Sequence, residues 1–493
     1  MPDDSSDDTY LILAAEECPQ DQFNDYHVFT KYENSIVSKL VAHGPVLLRG
    51  GRGSGKSALL IESYLQMKER FHGSILPIYI SLRHLPLLKT DGAEYLSNFC
   101  QILSRQINSE TNKQYNIFFP VSRDVGSLLS SLEAYAIDKN QRVVLLFDDA
   151  AHIGRERPLE EFFDVFRTIS TSRISCKASI YPGVTKFGLR FDVFNDATVI
   201  DISRDERRDN FHEIFAEILN KRFPSIVRKV RASRRIDETS FSQIMGRAVS
   251  GNLRSFVFAC NNIDENDSVG FPEITKCLVD LSSNYFWPLL EEVAPKLGSY
   301  EALVSAAEDI AQSIFNSCAT RKTSYCIVHR DIMQRASKIF EILEYAGFIA
   351  RRDASKAMKS GGRGVLFSMN LCNLLDVTPG KRLTSELADQ WMRSFDDPYE
   401  LHSSNVDFKK IEIPEPTPGS GLSILEKDVS TLRKSNIYPY GLTDDKISRL
   451  MDAGIETIID IFEASDKTIL DIPYIGNKHL ERIRAVANQA VWM

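Results

Sequence analysis

The stretch Val46-Leu47-Leu48-Arg49-Gly50-Gly51-Arg52-Gly53-Ser54-Gly55-Lys56-Ser57-Ala58-Leu59-Leu60-Ile61 decides the reading of this chain. An apolar run, a Gly-x4-Gly-Lys-Ser loop and a second apolar run follow one another, the strand–loop–helix context that a phosphate loop requires. Glycines let backbone N–H groups curl around phosphate oxygens, and the next helix turns its positive end toward them. In such a loop Lys56 reaches the β- and γ-phosphates and the Ser57 hydroxyl ligates Mg²⁺. Residues 50–57 are therefore the expected nucleotide-binding segment, with ATP and Mg²⁺ as the expected cofactors.

A second run supports the first. Arg142-Val143-Val144-Leu145-Leu146-Phe147 is continuously apolar after its arginine and ends in Asp148-Asp149, as a strand buried on both faces of a parallel sheet would. At its carboxyl end Asp148 is expected to hold the metal through water, and Asp149 to orient or deprotonate an attacking water. Around these two runs, Leu76–Leu82, Ile174–Tyr181 and Ala197–Ile202 read as further strands, with a helix around Ser127–Ile137. Pro158 is expected to open a helix whose Leu159, Phe162, Phe163, Phe166 and Ile169 form one buried stripe. The alternation predicts an α/β fold, a doubly wound parallel sheet with the nucleotide at its carboxyl edge.

Composition bounds the rest. A chain of 493 residues with 43% hydrophobic content is expected to build several domains. Its 8 cysteines include no Cys-x2-Cys pair, which speaks for reduced thiols and a cytoplasmic location, against a zinc site or a disulfide framework. No apolar run approaches the ~18–20 residues needed to span a bilayer, so no membrane partner is expected. Asp3, Asp4, Asp7 and Asp8 make the first residues the opposite of a basic signal peptide. With a net charge of −8, any nucleic-acid contact must come from local basic surfaces.

From Asp205 the pattern turns wholly helical. Phe211, Ile214, Phe215, Ile218 and Leu219 mark one helix, Thr239–Val249 a second, and Gly251-Asn252-Leu253-Arg254 opens a third whose Leu253, Phe256, Val257 and Cys260 face the core. An α/β nucleotide core followed by a small helical lid resembles the AAA+ ATPases and related signalling ATPases. Gly-Asn-Leu-Arg is similar to the opening of the last lid helix in their origin-recognition and initiator branch. That resemblance implies that Arg254 reaches the γ-phosphate as a second sensor. Gly188-Leu189-Arg190-Phe191-Asp192 resembles the region that supplies an arginine to a neighbouring subunit's site; Arg190 is the candidate and Arg204 its rival. Ser179-Ile180-Tyr181 stands where the family has its first sensor but lacks the expected asparagine, which leaves that role open. Asp149 is one methylene shorter than the glutamate many such ATPases carry, which implies slow hydrolysis.

Beyond the lid, helical patterns at Ala302–Ser317 and Met333–Tyr345, then Phe348–Ala350 pairing with Gly364–Phe367, read as a winged helix. Initiator-type relatives carry one in this place. Arg335 and Lys338 are expected on one outward helix face, with Lys356, Lys359 and Arg363 at a hairpin tip, as DNA-backbone contacts. Seven basic residues between Lys221 and Arg235, with no acidic one, read equally as a phosphate-contacting patch or a solvated surface. Ile413–Gly421 is proline-spaced and then flexible, a linker composition. The final span, with Leu450–Ile455 and Ile472-Pro473-Tyr474-Ile475-Gly476-Asn477-Lys478, resembles the helix-hairpin-helix domains, particularly the C-terminal domain of the RNA polymerase α subunit. Gly476, Asn477 and Lys478 would hold a DNA phosphate, although Tyr474 stands where many hairpins have their first glycine.

These readings set out an acidic tail (1–25), ATPase core (26–204), lid and connection (205–299), winged helix (300–375), linker region (376–435) and helix-hairpin-helix domain (436–493). The expected function is ATP binding and hydrolysis by an initiator-like AAA+ protein of bacterial type. Its nucleotide state would control DNA binding or assembly in a mobile-element or anti-phage setting, with subunits sharing ATP sites. The alternative is a signalling switch ATPase that senses a ligand and recruits an effector protein through its C-terminal domains.

Overall fold

The phosphate-loop segment springs from a parallel sheet of five strands: β1 (Val46–Arg49), β2 (Ile75–Ser81), β3 (Arg142–Ala151), β4 (Ile174–Ile180) and β5 (Thr198–Asp201). This computed structural model describes residues 15, 18–19, 21–82, 92–151, 156–183, 187–188, 190–233, 236–393, 397–416, 422–434 and 441–492. The chain divides into two compact units. One comprises Met1–Thr30, Gly50–Gly55 and Ile202–Ser420; the other comprises Lys31–Arg49, Lys56–Asp201 and Gly421–Met493.

In the second of these units the sheet order is β2-β3-β4-β1-β5, so β4 separates the phosphate-loop strand from the carboxylate strand. Leu145 and Phe147 lie fully buried against Phe162, Phe163 and Phe166 of the helix Glu156–Ile169, the stripe that the sequence marks out. That helix begins two residues before Pro158, which sits within its first turn, where its missing N–H costs nothing. A 24-residue helix, Gly92–Tyr115, completes this face with Tyr95, Phe99, Leu103 and Ile107 spaced every fourth residue. Just ahead of β1, the carbonyls of Val41, Ala42 and Gly44 accept from Arg142 and the fully buried Lys177. Burial lowers the Lys177 ammonium to about 7.

The same unit contains the C-terminal module, built on its own apolar cluster. Ile447, Leu450, Ile458, Ile461, Ile469 and Ile483 form its centre, and Ile424, Val429 and Leu432 belong to it as well. The Val429 N–H donates to the Glu456 carbonyl, and Leu442 N–H to Leu432. The module therefore starts at about residue 422, ahead of the boundary at 436 suggested by the sequence, because two short turns upstream supply part of its core.

In the other unit lie the helices Glu213–Arg222, Pro224–Ser233, Glu238–Ala248 and Leu253–Asp264, the segment expected from the sequence to be a lid. Part of the expected acidic tail belongs to this unit: Phe23 is buried and stacks on His27 at 4.2 Å, and Arg222 lies over Tyr26. Burial lowers His27 to about 4, against the pull of its bond to the Phe23 carbonyl. The basic stretch is mostly consumed internally: Lys221 donates to Asn24 and His27 carbonyls, Lys229 pairs with Asp264, and Arg231 with Glu238. Arg234 and Arg235 lie outside the described residues.

Residues 303–410 make a second body in this unit. A helix (Leu303–Thr320) leads to β6 (Tyr325–His329), a helix (Arg330–Tyr345), and the hairpin β7 (Ile349–Ala357) and β8 (Arg363–Met369). β6 pairs antiparallel with β8, and β9 (Tyr399–Leu401) adds to β6 in parallel. The expected pairing of 348–350 with 364–367 falls within the β7–β8 ladder, shifted so that Ala350 opposes Ser368. Of the expected linker region, the described residues 376–393 and 397–410 are structured: Leu383, Trp391, Tyr399, Leu401 and Phe408 are all buried. The proline-spaced stretch beyond it carries no helix or strand over 411–416, and 417–421 lie outside the described residues.

Candidate nucleotide site

The glycine turn is set by backbone geometry. Gly53 and Gly55 have φ of +76° and +95°, the left-handed region that only glycine enters freely. A Cβ at Gly50 would meet the Ser54 Oγ at 2.5 Å, and one at Gly53 would meet the Arg254 Cβ at 2.6 Å. Four residues of the same unit seat this turn. Asn252 caps the Leu253–Asp264 helix through the Ser255 N–H and donates to the Arg52 carbonyl at 2.5 Å. The Arg254 N–H donates to the Gly53 carbonyl at 3.2 Å. Arg204, 7% exposed, donates to the Ser54 carbonyl at 2.9 Å. Arg52 turns inward to Glu292, which also pairs with the buried Lys296. The Arg254 Nε is buried with no hydrogen-bond partner.

Lys56 and Ser57 open the helix Lys56–Arg70 in the unit that holds the sheet. Ser57 is half-buried, and its hydroxyl makes no hydrogen bond among the described residues. Asp148 is 1% exposed; Tyr79 donates to its Oδ2 and Ser179 to its Oδ1, both at 2.7 Å. Asp149 has φ of +52° at a break in the β3–β4 register, an uncommon conformation for a residue with a Cβ. Its N–H is held by Ser179 Oγ at 2.8 Å and Asp148 Oδ1 at 3.0 Å. The Tyr181 hydroxyl donates to Asp149 Oδ1 at 3.2 Å, and Lys56 Nζ lies 3.8 Å from the Tyr181 ring centroid. A buried carboxylate and a hydroxyl with no other partner are hard oxygen donors, a set that fits Mg²⁺.

Strand register explains what the sequence left open. Tyr79 opposes Leu146, two residues before Asp148, so its side chain shares a face with Asp148. Ser179 and Tyr181 come from β4 and its end, the strand placed between the two that the motifs identify. Tyr79, Arg52 and Arg204 carry no motif of their own in these contacts; their partners are distant in sequence.

The remaining site residues fare differently. Arg190 is exposed on a loop anchored by Phe187 and Phe191, which pack on Phe163, while Leu189 lies outside the described residues. Arg204 is buried on its own chain's loop, which corrects its reading as a rival donor to a neighbour. Arg335 is exposed, but Lys338 turns away to pair with Glu341 at 3.1 Å beside the Tyr300 ring. Ala336, between them, has non-helical backbone angles, φ −125° and ψ 21°. Lys356 is half-buried; Lys359 pairs with Asp397, and Arg363 donates to Ser355. The hairpin tip is fastened by Glu400, which accepts the Lys359 and Ser360 N–H groups. In the C-terminal module, Tyr474 adopts φ of +66°, the conformation a glycine would take there, with its ring 83% exposed beneath Arg449. Gly476 faces open space, and Asn477 and Lys478 begin the final helix, Asn477–Trp492, with first-turn N–H groups that have no carbonyl ahead of them.

Among the described residues no helix is long and apolar enough to cross a membrane, and all eight cysteines are buried free thiols. No protein-family model matches the chain, and no curated protein matches it. Among solved structures, it is similar to the Aeropyrum pernix ORC1 protein in complex with DNA, at 12% identity and a TM-score of 0.33 over 70% of this chain and 92% of that one. It is also similar to Drosophila ORC bound to DNA, at 12% identity and a TM-score of 0.32 over 76% and 93%. Domain III of the Thermotoga maritima replication initiation protein DnaA aligns at 17% identity and a TM-score of 0.28, over 54% and 96%. These likenesses are distant, and what the site does follows from its own residues.

Proposed function

We propose that the chain is an AAA+-type ATPase whose nucleotide state governs DNA engagement or assembly, working in a reducing, cytoplasmic compartment. The observation that carries this reading is the phosphate-loop glycine turn gripped by the lid, through Asn252 on the Arg52 carbonyl and the Arg254 N–H on Gly53. A lid that holds the loop backbone is placed to respond to what the loop holds. Residues 50–57 would bind the ATP phosphates, and Ser57 and Asp148 would hold Mg²⁺. When bound, the metal offsets phosphate charge. Asp149 would orient the attacking water, and Arg254, whose Nε lacks a partner, would sense the γ-phosphate. Arg190, exposed on its anchored loop, would complete a neighbouring subunit's site.

The helix–strand–helix–hairpin order of residues 303–369 supports reading them as a winged helix, and the exposed Gly476–Lys478 turn supports reading a helix-hairpin-helix phosphate contact. DNA binding by these parts would be mainly to the backbone. The internal pairing of Lys338, Lys359 and Arg363 favours giving the larger share of that binding to the C-terminal module. It also favours, as a second reading, a switch ATPase whose winged body docks an effector protein.

Removal of residues 421–493 tests the division. The cut precedes Ile424, so no half of a core is left behind. The truncated protein is expected to keep ATP hydrolysis while its DNA affinity falls. Its salt dependence should flatten by a slope of about 0.9 for each DNA phosphate that the module neutralises. Unchanged DNA binding with loss of a protein partner would favour the switch reading.

A further inference from the structure

Tyr181 is the first residue beyond β4, whose Ile180 pairs with Arg49, the residue from which the phosphate loop departs. It is 5% exposed, and so is Lys56. The ring lies 3.8 Å from the Lys56 ammonium, and the hydroxyl donates to Asp149 Oδ1 at 3.2 Å. One side chain thus connects the cation expected to take the phosphates and the carboxylate expected to take the water. An ammonium over an aromatic face gains more when it is shielded from solvent, as here, than at an open surface. A phenol is also the right chemistry for the second contact: it donates to a carboxylate without adding charge to a buried site.

Resting on the ATPase reading, we propose that Tyr181 is a latch and positioning residue. In the nucleotide-free chain its ring holds Lys56 in place of a phosphate, and its hydroxyl holds Asp149. ATP binds by drawing Lys56 from the ring to its phosphate oxygens. Binding therefore has to overcome the attraction between lysine and ring. The hydroxyl keeps Asp149 in its left-handed conformation, ready for the water, throughout. Tyr181 takes no proton and forms no bond to the phosphorus. It acts through the two partners whose state it sets.

Two variants of the full chain separate the two roles. Tyr181→Leu keeps an apolar side chain and removes both the π face and the hydroxyl. Tyr181→Phe keeps the face and removes the hydroxyl alone. Each is titrated with a fluorescent ATP analogue and Mg²⁺ and assayed for ATP turnover, with its melting temperature as a check on folding. Tyr181→Leu is expected to bind the nucleotide more tightly, by about two- to thirtyfold, the range that a cation–π attraction spans. Tyr181→Phe is expected to keep its Kd within about twofold while kcat falls by about two- to tenfold, the worth of one hydrogen bond. A damaged site would not bind ATP more tightly, so a gain in affinity identifies the latch. Unchanged or weaker binding by folded Tyr181→Leu overturns it, as does a Tyr181→Phe variant that weakens Kd and leaves kcat unchanged. A wild-type chain that binds no nucleotide overturns the ATPase reading itself, and the latch with it.

Discussion

Glu206→Ala is expected to destabilise the unit that holds the lid and the β6–β9 body by about 3–5 kcal/mol, the cost of leaving a buried charge without its partner. Glu206 and the Arg352 side chain are 2% and 1% exposed and lie 2.5 Å apart. The Tyr325 hydroxyl donates to the second Glu206 oxygen, Arg352 also donates to Ser203, and Arg247 donates to Ser324 beside them. Burial pushes the Glu206 carboxyl up, but the Arg352 charge and hydrogen bond, with the Arg247 charge, overcome it and hold it below the usual range. The network ties the 203–207 segment to β6 and β7, and Arg207 adds an ion pair to Asp353 at 2.9 Å. Chemical denaturation monitored by fluorescence checks the loss. The double variant Glu206→Met with Arg352→Met is expected to recover part of it, because Arg352 no longer stands unpaired while the buried Arg247 still lacks its carboxylate. An unchanged midpoint for Glu206→Ala would show that the pair contributes nothing.

The second large effect concerns turnover. Asp149→Asn is expected to leave ATP affinity within about twofold and to lower kcat by a factor on the order of 10²–10⁴, the usual contribution of a positioned acid–base group. The amide keeps the shape and the acceptor for the Tyr181 hydroxyl but cannot take a proton. Equal losses of affinity and turnover would remove Asp149 from the role of water-orienting base and make it part of the binding surface. Parallel measurement of nucleotide binding and phosphate release separates these results.

Legibility in the sequence followed the range of each interaction. The strand–glycine turn–helix of residues 46–70 and the strand that carries Asp148-Asp149 were readable because both are written into contiguous apolar runs. The Glu156–Ile169 stripe was readable because a helix repeats its buried face every three to four residues. Strand order was not, since nothing local tells β4 to lie between β1 and β3, and with it went the partners of Tyr79 and Tyr181. Ala336 passes for a helical residue in any periodicity count, yet its backbone leaves the helical region between Arg335 and Lys338. The stretch from 376 to 410 reads as a connection because its buried residues are sparse and far apart. Tyr399 finds its partner only when β9 joins β6, and the Trp391 carbonyl accepts from the distant Ser324 hydroxyl. Glu206, Arg352 and Arg247 each look like surface charges until the fold brings them together.

On the proposed reading, residues 50–57 form a working phosphate site in which Lys56 supplies the charge. Titration of the full-length chain and of Lys56→Ala with ATP and Mg²⁺, by calorimetry at one salt concentration, tests it most directly. The wild type is expected to bind. The variant is expected to bind about ten- to a hundredfold more weakly, corresponding to the roughly 1.5–3 kcal/mol of one charge-assisted phosphate contact. Equal affinities, or no binding by the wild type, would contradict it.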